Sequence, residues 1–244
     1  MFRKYFEARY RRFWKSVAKR TKTTFLYDHP RHGRRLLDST EPTSRELYAG
    51  YNYDDDAYEF VEAISKQDRI TTFIDIGANW GGYSLLGARC GVPRIEAFEP
   101  NRKVFGLLAS NITLNDKQTQ IRAWNVAASD ENSESELFLD PRATDVSTLT
   151  PDAMPERWNY SHRQSCAVRR LDDFLPMENE TLIIKIDVEG AELKVFRGMQ
   201  HILKTNKAHI FVELLKGDNA AETFLNSLGF EKKRQFGTNT YFAN

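Results

Sequence analysis

From about residue 70 onward, short apolar runs alternate with segments whose apolar residues recur every three or four positions. Residues 71–76 (TTFIDI), 94–98 (RIEAF), 120–126, 181–186 (TLIIKI) and 208–214 are rich in β-branched or aromatic side chains, as expected of strands covered on both faces. Residues 83–89, 103–114 and 219–228 carry the helical spacing, the last stopped by Gly229. A further helix is expected from residue 188 to about residue 204. Strand and helix in alternation predict an α/β fold with a doubly wound sheet. Two final runs, 230–236 and 239–242, flank Gly237 and Thr238 and predict a closing antiparallel hairpin.

Upstream, the pattern changes character twice. In residues 44–66 the spacing of Ala57, Phe60, Val61 and Ile64 predicts a helix, capped by Asp54, Asp55 or Asp56. Tyr51 and Tyr53 precede it as packing residues. Residues 25–43 are broken by His29-Pro30, His32-Gly33 and Glu41-Pro42, and read as a linker or a strand pair laid over the domain. In residues 1–22, Phe2, Tyr5, Phe6, Tyr10, Phe13, Trp14 and Val17 fall on one helical face. Among the first twenty residues Arg3, Lys4, Arg9, Arg11, Arg12, Lys15, Lys19 and Arg20 oppose a single acid, Glu7. This basic amphipathic helix suits an anionic membrane surface. It equally suits packing on its own domain or on a partner, with the basic face solvated. A mitochondrial presequence is a third reading, for which the segment is too aromatic. The chain therefore divides into residues 1–22, a linker and helical cover over 23–66, and a main domain over 67–244.

Composition narrows the class. At 244 residues with a net charge of +1, the chain suits one α/β domain with an appendage and offers no global charge for nucleic acid. Cys90 and Cys166 are the only cysteines and lack metal-ligand spacing, which implies a reduced compartment. No stretch reaches transmembrane length and no apolar signal-peptide core is present. The expected location is cytoplasmic, peripheral at the membrane where the N-terminal helix engages it.

The chemistry starts at residues 71–84, TTFIDIGANWGGYS, which read as strand, glycine turn and helix. That arrangement brings backbone N–H groups close to a ligand. Glu99 ends the next strand at about the interval from Asp75 at which dinucleotide folds place a ribose-gripping acid. The turn departs from G-x-G-x-x-G, which weakens a nicotinamide reading. Asp187 ends the TLIIKI strand, where open α/β sheets carry their chemistry, and Glu189 follows it. Residues 133–171 are the least regular part, with 136–139 and 166–171 expected to pair as an antiparallel excursion. Between these segments lie Trp158, Tyr160, His162 and Arg163, side chains suited to sugar faces and anionic groups.

Taken together and in order, DIGANWGGYS, EAFEP, NVAASD and IKIDVEGAELKVFRG resemble the FkbM-type family of S-adenosylmethionine-dependent methyltransferases, over residues 48–244. The resemblance implies a class I methyltransferase (Rossmann-like) fold with a seven-stranded doubly wound sheet and C-terminal hairpin. It implies S-adenosyl-L-methionine as cofactor, with Gly77, Asn79 and Gly81 under its amino-acid end and Asp75 orienting the turn. Glu99 would hold the ribose, and a turn from Ala127 to Asp130 the adenine. The implied reaction is O-methylation of a hydroxyl on a sugar, glycan or related metabolite, with Asp187 or Glu189 as general base. Residues 133–171 and Glu213 would face the acceptor. A divalent metal on Asp187, Glu189 and Glu213 ranks second, because no ligand set is complete in the sequence. Methylation of a carboxylate or nitrogen is an alternative reaction, and a catalytically silent cofactor-binding module is an alternative of another class.

Overall fold

A computed structural model describes residues 16–17, 20, 23–29, 33–49, 55–214 and 219–244. Apart from Ser16, Val17 and Arg20, the N-terminal amphipathic segment lies outside the described residues, as do His32, Tyr51, Tyr53 and Asp54. The stretch after it is a strand pair. β1 (Thr24–His29) and β2 (Gly33–Asp38) run antiparallel, with Thr24 opposite Asp38. Helix α1 (Pro42–Tyr48) follows, its proline in the first turn, where no backbone N–H is needed. Helix α2 (Asp55–Gln67) opens with Asp55 and Asp56, complementing the helix dipole, and buries Ala57, Tyr58, Val61 and Ile64.

Strand β3 (Thr72–Ile76), helix α3 (Gly82–Arg89), β4 (Arg94–Phe98), α4 (Arg102–Leu114) and β5 (Ile121–Trp124) come next. A second group follows: β6 (Val126–Ala128), β7 (Ser133–Asp140), β8 (Ala143–Thr148), β9 (His162–Arg169) and the short α5 (Leu171–Phe174). The chain then returns through β10 (Thr181–Ile186), α6 (Glu192–Gly198), α7 (Gln200–Thr205) and β11 (Lys207–Glu213). Helix α8 (Asn219–Ser227) leads to the hairpin β12 (Glu231–Phe236) and β13 (Asn239–Ala243).

The central sheet has seven strands in the order β12-β13-β11-β10-β3-β4-β5. The last five in that order are parallel, and β13 joins β11 antiparallel. Side chains alternate across it. Phe73, Ile95, Ile183 and Phe211 face one core with α2, α3 and α4; Ile74, Phe98, Ile184 and Val212 face the other with α6, α7 and α8. This is the expected doubly wound sheet with its closing hairpin. Among the described residues no helix is long and apolar enough to cross a membrane.

Three local expectations change. In residues 133–169 the expected antiparallel pairing is present between β7 and β9, but the stretch is more regular than expected, because β8 and β6 complete a four-stranded sheet ordered β6-β9-β7-β8. Ala127 and Ala128 consequently belong to β6, paired with Val168 and Arg169, rather than to a turn. The helix expected from residue 188 begins only at Glu192, because Glu189 (φ 52°) and Gly190 (φ 95°) are left-handed. It breaks at Met199, where Asp172 accepts from the N–H groups of His201 and Ile202 (both 3.0 Å) and starts α7 afresh.

The strand pair β1–β2 is fastened to α4. Asn111 accepts from Leu36 N–H (2.6 Å) and donates to the Trp80 carbonyl (2.9 Å), while Asn115 bridges both backbone groups of Arg34. Lys103 pairs with Asp38 and Glu41, both at 2.8 Å.

Candidate active site

The strand ends of β3, β4 and β10 open into a cavity of about 210 Å³. Its floor is the glycine turn. Gly77 and Ala78 N–H groups both donate to the Phe98 carbonyl (2.9 Å), which draws the turn across β4. Gly77 has φ 78°, and a Cβ there would stand 1.8 Å from the Asp187 carbonyl oxygen. The glycine is thus required by the neighbouring strand end as well as by its own backbone angle. Asn79 is left-handed at φ 52°, and its N–H donates to Glu99 Oε2 (3.0 Å).

Glu99 is 5% exposed and accepts on its other oxygen from Asn101 N–H (2.8 Å). Burial pushes its carboxyl up to about 7, against these two hydrogen bonds, with Asp75 and Asp187 adding to the rise. Asp75, buried behind it, accepts from the Ser84 hydroxyl at 2.5 Å and so ties β3 to α3. Burial lifts its carboxyl to about 6, opposed by Ser84 and Lys185.

Lys185 is a site residue that the apolar pattern of its strand conceals. It interrupts the run of β10, sits opposite Asp75 in the register, and is almost wholly buried. Its ammonium lies 3.4 Å from Asp187 Oδ2 and 5.3 Å from the Tyr83 ring centroid. In the sequence Lys185 shows only as the lone lysine of TLIIKI and as a member of the motif IKIDVEGAELKVFRG, with no role attached. Asp187 itself is half-exposed at the cavity edge, so its carboxylate is oriented by an ion pair yet open to a ligand.

The sequence model of the methyltransferase FkbM domain matches residues 75–232. The chain belongs to the methyltransferase FkbM family. Methyltransferase 1 of Beauveria bassiana (strain ARSEF 2860) is 29% identical over 177 residues, 64% of this chain and 71% of that protein. Methyltransferase sdnD of Sordaria araneosa is 28% identical over 153 residues, 52% of this chain and 59% of that protein. The crystal structure of methyltransferase FkbM from Methylobacillus flagellatus KT matches with TM-score 0.50 at 15% identity, over 72% of this chain and 44% of that one. The fold is that of class I methyltransferases.

Within this FkbM-family chain, Asp75, Gly77, Asn79, Glu99, Ala127, Asp187 and Glu189 all line the cavity. Gly81 stands just outside it as the N-cap of α3, with φ 94°. Asp130 is also outside, accepting from the Ser129 hydroxyl at 3.3 Å where Gly198 packs against this backbone. The Thr148 hydroxyl donates to the Glu189 carbonyl (2.7 Å), latching β8 to the turn after β10.

The cavity wall comes from within the 133–171 stretch, but from residues other than those singled out in the sequence. Val146, Ser147, Thr148 and Leu149, in and just after β8, line it, whereas Trp158, Tyr160, His162, Arg163 and Glu213 do not. Trp158 lies under the Arg157 guanidinium (5.0 Å), and Arg163 pairs with Glu136 (2.9 Å) above the Phe138 ring. His162 shares a 3.2 Å contact with the Ser161 hydroxyl. Tyr160 is nearer the site: burial lifts its phenol to about 12, helped by Glu189 and then Asp140. Glu213 ends β11 opposite Asn239. Among the described residues no group of three or more His, Cys, Asp and Glu side chains is arranged to hold a metal ion.

Proposed function

We propose that this chain is an S-adenosylmethionine-dependent O-methyltransferase acting on a hydroxyl of a sugar, glycan or related metabolite. The observation that carries the cofactor reading is Glu99. Each of its oxygens accepts one backbone N–H among the described residues, leaving one acceptor site on each for the two hydroxyls of a ribose. The fit extends to charge. Asp75, Glu99 and Asp187 line one cavity with the Lys185 ammonium among them, a setting that favours a cationic ligand. S-adenosylmethionine supplies an electrophilic methyl group on a positively charged sulfur when bound.

The residues of the chain then have two tasks. The first is alignment: the rigid strand ends and the wall from β8 hold the acceptor hydroxyl in one orientation, an effect that reaches roughly 7–11 kcal/mol in the most favourable cases. The second is removal of the hydroxyl proton. Asp187 takes it, with its carboxylate oriented by Lys185; Glu189, anchored through its carbonyl by Thr148, closes the same edge. A positioned base of this kind contributes about 10²–10⁴-fold. The test is incubation with methyl-labelled cofactor and fractionated glycans, sugars and hydroxylated metabolites. Label in a base-stable ether supports the reading. Label released by mild base, or found on an amine, replaces the hydroxyl acceptor with a carboxylate or nitrogen.

A further inference from the structure

Arg35 lies in β2 opposite Tyr27 and is fully buried. None of its three guanidinium nitrogens has a hydrogen-bond acceptor among the described residues. Its central carbon lies over the Trp80 ring, 4.2 Å from the centroid, and 5.6 Å from the centroid of Tyr27. A ring face attracts the cation but accepts none of the in-plane N–H bonds, so the fork remains unsatisfied. The Trp80 indole N–H is also buried without an acceptor among the described residues. Trp80 lines the cavity, and so does Tyr58, a third aromatic neighbour of this charge. Burial lowers the Arg35 pKa to about 10, which leaves it cationic at neutral pH.

Buried charges in proteins are normally paired or hydrogen-bonded, and two adjacent buried donors of this strength without acceptors call for one from outside the described residues. We propose that Arg35 and Trp80 form an oxyanion seat beside the cavity, taking a carboxylate or similar anionic group of a bound ligand. Arg suits this role because its planar fork matches the two oxygens of a carboxylate. Arg35 is not itself a lining residue; it lies behind Trp80, so the seat places a cation behind the Trp80 wall of a cavity whose other lining includes the acids of β3, β4 and β10. Such a division fits a ligand carrying both charges. The anionic group comes either from the amino-acid end of the cofactor or from an acidic acceptor. The inference rests on the reading of the cavity as a cofactor and acceptor site.

Calorimetric titration of the full chain and of Arg35→Met separates the sources. The probes are S-adenosylhomocysteine, which carries the amino-acid carboxylate, and 5′-methylthioadenosine, which lacks it. A seat for the cofactor weakens S-adenosylhomocysteine binding by about ten- to hundredfold in the variant, the scale of lost charged hydrogen bonds, and leaves 5′-methylthioadenosine unchanged. A seat for the acceptor leaves both unchanged, while inorganic sulfate raises the melting temperature of the wild type more than that of the variant, relative to chloride at equal ionic strength. Unchanged nucleoside binding with an equal sulfate response overturns the proposal. Equal weakening of both nucleosides also overturns it, since that marks a purely structural role. If neither nucleoside binds the wild type, the cofactor reading falls, and the sulfate comparison still decides the seat. Should Arg35→Met not fold, Trp80→Phe keeps the aromatic face and removes the second donor, and the same titrations apply with a smaller loss of the same sign.

Discussion

At the amino ends of its strands the central sheet buries His209 between Asp68 and Tyr241; at the carboxyl ends it buries Asp75 and Glu99 beside Lys185. In the first group every ring nitrogen is used. His209 Nε2 meets Asp68 at 2.7 Å, Nδ1 meets the Tyr241 hydroxyl at 2.8 Å, and Lys207 reaches Asp68 at 2.8 Å. Hydrogen bonds from Lys207 and then His209 hold the Asp68 carboxyl below its usual range, and burial pulls His209 down. In the second group burial outweighs the available hydrogen bonds, and both carboxyls rise. A network that closes on itself stabilises the fold, whereas one left with spare acceptors and raised pKa values has the properties of a binding and catalytic site.

The largest separation between the two ends is expected from Asp187→Asn. Turnover of the identified acceptor should fall by about 10²–10⁴-fold while cofactor affinity falls far less, because shape and hydrogen bonding survive while basicity is lost. Wild-type rates in this variant would remove Asp187 as the base, and Glu189→Gln then becomes the informative variant. At the opposite end, His209→Ala should cost about 2–4 kcal/mol of stability, since it opens a cavity and strands the Tyr241 and Asp68 partners. Denaturant unfolding measures this, and calorimetry should find cofactor affinity unaltered. A loss of cofactor binding there would break the division between the ends.

Glu99→Ala should weaken S-adenosylmethionine binding by about 1.5–3 kcal/mol, the scale for lost charged hydrogen bonds. Calorimetric titration of a folded variant with unchanged affinity would take Glu99 out of the site. The smallest effect is in pH dependence. Glu99 moves from 4.5 to about 7 on folding and Asp75 from 3.8 to about 6, so both bind a proton more tightly in the folded state. Their stabilising contribution is full below the unfolded values and is lost as pH rises through about 6 to 7. His209 has the opposite sign, because its pKa is lowered on folding; its contribution is present above its usual value and lost as pH falls. Ligand-free wild type should therefore lose about 2 kcal/mol through Glu99 between pH 5 and 8. Glu99→Ala should flatten this loss, and an identical slope in urea titrations at several pH values would reassign it.

Much of the site is legible in the sequence, and the legible part has a common cause. Glu99 and Asp187 each terminate an apolar run, and a carboxylate at the end of a buried parallel strand stands at the mouth of the sheet whatever the rest of the fold does. The glycine turn is legible for a similar reason, since Gly77 and Gly81 mark backbone angles that few other residues adopt. The closing hairpin shows in its turn and its two short runs. Trp158, His162 and Arg163 stand out by composition alone, which states what a side chain can bind but not which way its segment faces.

Local pattern determined the order of strands and helices of the central sheet, the doubly wound class and the positions of the strand-end acids. Tertiary structure alone decided the rest. β8 becomes a cavity wall because β7 pairs with it antiparallel and Thr148 bonds to the Glu189 carbonyl, a contact across 41 residues. Lys185 becomes a partner of Asp187 only when β3 and β10 lie side by side and leave it no solvent. Arg34 and Arg35 are adjacent and chemically identical, yet the alternation of β2 leaves the first exposed and stacks the second on Trp80. Burial and neighbours set the chemistry of these charges, and both are properties of the assembled sheet rather than of the segment that carries the residue.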